Sequence, residues 1–412
     1  MLTYVVQAFR PAAPRAGRAG ALHYVGGAAP IEAPSGINRG ARGDRRARVL
    51  SACSAFSAVS VFVLLLPAPA AAQSVARFSL ESVVAVDEFG GENVSNRPQV
   101  VVDVSLAVRI GDRWQAVMRP WFRLPRPSPP TAPAPDWDKQ IYQAGLRYER
   151  HGDLSTRIDL GYILSPIGLG VFDTRPGVHP TIVPHVSYFT PLPVFDPTGP
   201  RVSAVTGTYP LGAQVSLSTT MWDARAAVIN SAPTRAYALG AVTEPRQTPV
   251  FVAGAGVTPT TGLRVGVSVA HGVYATPEEI RTPASRGREM TMAGGEGEWA
   301  FGGTKVGGEI LRTAFDTMAD RAIAYEWFVQ GTHTLSPRWF VAARREGTSA
   351  PPLINGIVIG SRTELAAFEA TAGFRVSPDV TLRGGYTARK SFGASTWTNQ
   401  VGASVVWARR WW

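Results

Sequence analysis

Apolar and polar residues alternate strictly over stretches of about ten residues, many times over. In "PQVVVDVSLAVRI", Val100, Val102, Val104, Leu106, Val108 and Ile110 fall on one face, and Asp103, Ser105, Ala107 and Arg109 on the other. A period of two is that of a strand with one apolar and one polar face. The pattern returns with Ile158, Leu160, Tyr162 and Leu164 against Arg157, Asp159 and Gly161, and with Leu263, Val265, Val267 and Val269 against Arg264, Gly266 and Ser268. It returns again with Val380, Leu382, Tyr386 and Ala388 against Thr381, Arg383, Thr387 and Arg389. The polar face repeatedly carries full charges, which the packed interior of a β-sandwich could hold only with partners.

Such segments predict strands near 75–86, 98–110, 114–123, 139–150, 154–164, 201–209, 212–229 and 249–258, and near 262–274, 289–301, 304–315, 321–335, 338–347, 361–376, 379–389 and 397–411. Pro120 weakens the third, because proline cannot donate to a ladder. The connections then separate by parity. Even-to-odd links are short, as at Gly111-Asp-Arg113, His151-Gly-Asp153 and Gly302-Gly303, and most odd-to-even links are long, as in "PRPSPPTAPAPDWD" and "TSAPPLINGIVIGS". Short turns on one rim and long loops on the other are the build of an all-β, antiparallel transmembrane barrel of about 16 strands, with long extracellular loops and both chain ends on the periplasmic side. After residue 73 no apolar run is long enough for a spanning helix.

The start of the chain reads differently. Arg45, Arg46 and Arg48 precede the apolar run "VLSACSAFSAVSVFVLLLPAPAAAQS", and Ala70 and Ala72 stand before Gln73 in an A-x-A arrangement. Residues 45–72 therefore read as a cleavable export signal, residues 1–44 as an overextended start or leader, and residues 73–412 as the barrel. The lone cysteine, Cys53, lies within the signal and ahead of its apolar run, which argues against a lipid anchor. Removing the eight arginines and two acids of this leader from a chain of net charge +11 leaves +5, so a nucleic-acid partner loses most of its support.

The longest connection, "PIGLGVFDTRPGVHPTIVPHVSYFTPLPVFDPTGP" (166–200), follows the fifth predicted strand, and its entry is Ser165-Pro-Ile-Gly-Leu169. Together with the strand count, this resembles the trimeric bacterial outer-membrane porins, and the entry turn is similar to that of phosphate-selective porins. The resemblance implies a third loop folded into the pore, a homotrimer, outer-membrane lipid around the wall, and passive diffusion of small anionic or neutral solutes. Phosphate itself is not supported, because the mature chain has three lysines, Lys139, Lys305 and Lys390.

By parity the inward face collects Arg119, Arg147, Arg157, Asp159, Arg383 and Arg389, a basic wall that Asp173, Arg175, His179 and His185 of the long connection would approach. These are the expected constriction residues of a weakly anion-preferring pore. Pairing among these charges would leave them as ordinary solvated wall residues. Outward parity gives Tyr142, Tyr148, Tyr162, Trp299, Phe301, Tyr325, Trp327, Phe374, Tyr386 and Trp407 as interface aromatics.

Catalytic readings are thin. Ser268 in Gly266-Val-Ser-Val-Ala270 is one residue short of a nucleophile elbow, and His179 and His185 have no ligand-spaced partners for a metal. No enzyme, metal or cofactor is expected; a barrel hydrolase and a closed structural or adhesive barrel are the alternatives. The chain ends on "ASVVWARRWW". Trp412 resembles the terminal aromatic that barrel-assembly machinery reads, and Trp411 keeps the parity of Trp407. Either Trp411 is the belt residue or a bulge near Arg409 resets the phase.

Overall fold

The computed structural model describes residues 78–91, 98–125, 136–169, 179–236, 248–280, 286–318, 320–352 and 362–411. The leader, Arg77, Asp173, Arg175 and Trp412 lie outside the described residues.

Sixteen strands form one closed antiparallel barrel. In chain order they are β1 (Phe78–Gly91), β2 (Gln99–Arg109), β3 (Trp114–Leu124), β4 (Asp138–Arg150), β5 (Ser155–Tyr162), β6 (Leu211–Ser218), β7 (Trp222–Ile229) and β8 (Val250–Thr260), then β9 (Leu263–Ala275), β10 (Arg288–Phe301), β11 (Thr304–Asp316), β12 (Arg321–Thr334), β13 (Trp339–Ala350), β14 (Thr363–Arg375), β15 (Val380–Lys390) and β16 (Thr398–Arg410). Each pairs with its sequence neighbours, and β1 pairs with β16 in the register Val84↔Trp407, which leaves no open edge.

The expected count of sixteen holds through two compensating differences. Residues 201–209 form no strand. Val202, Ala204, Val205, Thr208 and Tyr209 are buried inside the barrel, so the alternation there marks no single face. Residues 212–229 form two strands, β6 and β7, split at Thr219. Its hydroxyl accepts from the Met221 and Trp222 amides, each at 3.1 Å, and its own amide donates to the Trp222 carbonyl at 2.8 Å. With that correction the links 110–113, 151–154, 219–221, 261–262, 302–303, 335–338 and 376–379 make one rim of short turns. The longest link, 163–210, still lies between β5 and β6.

The register fixes the faces. Following paired residues round the barrel from Asp103 (Val83 on β1, Ala408 on β16) shows that every strand turns its charged parity inward. One expected aromatic is misplaced. The β3–β4 register shifts between Arg119 and Pro120, where Gln143 and Ile141 are the partners, so Tyr142 sits at a bulge and points inward. Pro120, which lacks an N–H, is tolerated at that irregularity. Tyr325, Trp327 and Tyr386 face outward and are exposed, as do Trp299 and Phe301, whose rings lie 4.2 Å apart.

At the C-terminus the register runs unbroken through Arg409 and Arg410, so no bulge resets the phase. Trp411 stays on the outward side of Trp407, 5.8 Å ring to ring. Its backbone amide donates to the Leu80 carbonyl at 2.9 Å and its indole N–H to the Ser82 hydroxyl at 2.8 Å, tying the chain end to the first strand.

Candidate functional site

The described residues of the link between β5 and β6, 163–169 and 179–210, here called L3, lie inside the lumen. Its ends zip together, with the Ile163 amide donating to Pro210 and the Ser165 amide to Thr208, each at 2.9 Å. Beyond them the chain runs through a single helical turn, α1 (Val186–Phe189). The described residues of L3 have little sheet pairing of their own, so their buried backbone groups need partners from elsewhere.

The barrel wall supplies them. Glu369 accepts from the Ile182 and Val183 amides at 2.6 and 3.1 Å, and Glu346 accepts from the Ser187 amide and hydroxyl at 2.9 and 2.8 Å. Glu326 accepts from the same hydroxyl at 2.8 Å, and Glu309 accepts from the Leu169 amide. Arginines serve the carbonyls. Arg344 donates to Val183 and Pro184 at 2.7 and 3.1 Å, and Arg383 to His179 and Thr181 at 3.0 and 2.6 Å. Arg344 also donates to Glu346 at 3.0 Å and pairs with Glu369 at 3.2 Å, so the two acids keep a countercharge while they hold the loop. Glu309, Glu326 and Glu346, on three consecutive strands, were missed in the sequence. Each has inward parity, and only the strand register brings them together.

Above this polar seat, toward the long-loop rim, the interior is apolar. Ile167, Tyr188, Phe189, Leu192 and Phe195 of L3 pack with the inner-wall side chains Ile229, Val250, Met290, Met292 and Phe315 in one buried cluster. Trp121, Tyr142 and Tyr209 form a stack there, with ring centroids 4.8 and 4.1 Å apart. Arg119 lies beside it, donating from Nε and Nη2 to the two carboxylate oxygens of Asp103, and the pair is almost fully excluded from solvent.

The constriction residues expected from parity therefore separate into two groups. Arg119 is buried against Asp103, His179 and Arg383 are buried in the seating of L3, and Arg389 donates to Thr190 at 3.1 Å. Burial, reinforced by Arg383 and Arg344, holds the His179 imidazole well below its ordinary value of 6.5. Burial, with Arg344 nearby, does the same to His185, whose Nδ1 lies 3.9 Å from Glu346.

Arg147, Arg157 and Asp159 instead line a cavity of about 410 Å³ in the short-turn half. There Asp159 is shared by Arg147 at 2.7 Å and Arg157 at 2.6 Å. Opposite, Arg264 binds Asp223 at 2.7 Å and Glu296 at 2.7 Å, and Arg225 reaches Glu296 at 3.3 Å. Arg157, Arg225 and Arg264 keep 19, 14 and 18% of their side-chain surface, enough to present guanidinium edges to water. Five arginines and four carboxylates line the space, and Glu296, buried behind Arg225 and Arg264, is a fifth carboxylate, so the formal charges balance while guanidinium edges meet the water. Ser268 is a buried inward residue of β9 opposite Gly254 and Gly294. Among the described residues no group of three acidic, histidine or cysteine side chains is placed to hold a metal ion.

No protein-family model matches the sequence, and no curated protein matches it. Solved structures do. The in-vitro folded OmpT, an outer membrane protein of Vibrio cholerae, is 11% identical, with 82% of this chain aligned to 100% of that one and a TM-score of 0.50. Its trimer form is 10% identical over 81% of this chain and 99% of that one, with the same TM-score. Salmonella typhi OmpF, in complex with daunomycin, is 9% identical over 81% and 97%, with a TM-score of 0.52. At such identities the likeness is one of fold: a closed barrel of sixteen antiparallel strands.

Proposed function

We propose that this chain is an outer-membrane channel of the porin type, exported by the leader read over residues 45–72, assembled as a homotrimer, and passing small hydrophilic solutes with a weak anion preference. The observation that carries the reading is the water-facing arginine cavity beneath an inward-folded L3, inside a barrel whose outer wall is apolar. An open β-structure could not sit in hydrocarbon, whereas a closed one pairs every strand edge. Phosphate is left out, since Lys139 and Lys390 have outward parity and Lys305 is engaged by Glu298 at 2.5 Å. The role is non-catalytic, and outer-membrane lipid and the assembly machinery are its partners during insertion.

The apolar filling of the long-loop half favours a second reading, a barrel that is closed at rest. Liposome swelling separates the two. Uptake of small neutral sugars, with faster uptake of anions than of cations of equal size, supports the channel. Impermeable liposomes carrying correctly folded protein favour the closed barrel, and turnover of ester or peptide substrates would favour a barrel hydrolase.

A further inference from the structure

A second set of cations lies on the outside of the barrel. Among the described strands, outward-facing charges otherwise sit near strand ends, but Arg312 on β11 and Arg345 on β13 are lodged within the outward apolar band. Arg312 stands opposite Tyr325 and Ala293, and Arg345 opposite Val329 and Phe368. A guanidinium in such surroundings is costly unless it reaches an interface and finds an anion.

Both are built toward the long-loop rim. Arg345 lies 5.1 Å from the ring of Trp397, just ahead of β16, and Arg362 lies 5.3 Å from the ring of Tyr325. Arg362 is held in place by the Ser349 hydroxyl at 2.7 Å and the Ile323 carbonyl at 2.7 Å. Lys390 has outward parity at the upper end of β15. Among the described residues no ion pair joins Arg312, Arg345, Arg362 or Lys390 to a carboxylate. The nearby Asp316 is already engaged by Arg321 at 3.3 Å. Aromatic rings at headgroup depth with positioned but uncompensated guanidinium groups beside them form a seat for an anion supplied by the membrane.

We propose that this face binds the phosphate-bearing headgroup of an anionic lipid in the outer leaflet. Arg312 and Arg362, on either side of Tyr325, take one phosphate, and Arg345, beside Trp397, takes a second with Lys390. Arg345 and Ser349 are four residues apart on β13, which spaces the two seats by roughly 13 Å. Guanidinium groups bind phosphate oxygens in pairs, so the face selects phosphate over a zwitterionic surface.

The proposal rests on the outer-membrane reading, and its test separates the two. Full-length protein in non-ionic detergent is titrated with lipid A, a diphosphorylated glucosamine lipid, or with its dephosphorylated form, and occupancy is read by native mass spectrometry. Folding is checked by the gel shift between boiled and unboiled samples. Wild-type protein retains lipid A in preference to the dephosphorylated lipid, and R312Q/R345Q and R362Q each lower that occupancy, the double variant by about tenfold or more. K139Q, on the far side of the barrel, leaves it unchanged. Equal occupancy in wild type and folded R312Q/R345Q overturns the proposal, as does equal retention of both lipids. Dissociation of an oligomer by R312Q/R345Q without any lipid effect assigns the face to a second copy of the chain and also overturns it. Detergent phase partitioning tells whether the barrel is a membrane protein at all, so an aqueous protein would sink the outer-membrane reading and the proposal together.

Discussion

At the level of single residues, the inward charges do two different jobs, and only their partners reveal which. Parity placed Arg119, Arg157 and Arg383 on one face but could not separate Arg157, which meets water, from Arg383, which holds loop carbonyls. The difference arises from strand register and from where L3 lies, neither of which leaves a local signature. Arg344 is the most consequential of the wall residues. Replacing it by alanine strands Glu346 and Glu369 in a buried site, which costs about 3–5 kcal/mol. R344A should lower the unfolding midpoint and make L3 a fast target in limited proteolysis.

The histidines add a pH dependence whose sign follows from their surroundings. His185 faces Glu346, feels the charge of Arg344, and packs on Phe328 with ring centroids 4.2 Å apart. Because its folded value lies well below 6.5, the docked loop binds fewer protons than the released one at acidic pH. The stability it contributes is complete above about 6.5 and is lost as pH falls below that, at up to about 1.4 kcal/mol per unit. Protease nicking of L3 should therefore accelerate on acidification, and H185F, which keeps the packing without the titration, should flatten the profile. An unchanged profile in H185F would contradict this assignment.

At the scale of elements, sequence patterning failed where a segment was buried on both sides and where an exposed turn lacked its usual residues. Residues 201–209 alternate like a strand, yet 202–209 are buried inside the lumen, and the β6–β7 turn at Thr219 lacks the glycine or proline that marked other corners. The chain end shows the opposite case. Trp411 kept its parity and closes the barrel against Ser82 and Leu80. W411A removes that hydrogen bond and part of the indole packing, a loss of about 2 kcal/mol. The measurement is the temperature at which the folded band gives way to the unfolded one on unheated gels, and W411A should lower it.

For the molecule as a whole, loop-length parity was legible because short turns and long loops must segregate to opposite rims of an up-and-down barrel. What the lumen contains was not legible, because L3 is recognised by a wall drawn from distant strands. In the proposed channel L3 sets permeability, and the arginine cavity sets charge preference. Changing Arg157 and Arg264 to glutamine should move the reversal potential in a salt gradient toward cations without abolishing conduction. The most direct test is single-channel recording in planar bilayers of the full chain beside a variant in which residues 180–198 are replaced by a short glycine-serine linker. Small, weakly anion-preferring steps are expected from the full chain, and steps severalfold larger from the variant. Folded barrels of both proteins that give no steps, or steps of equal size, would contradict this role of L3.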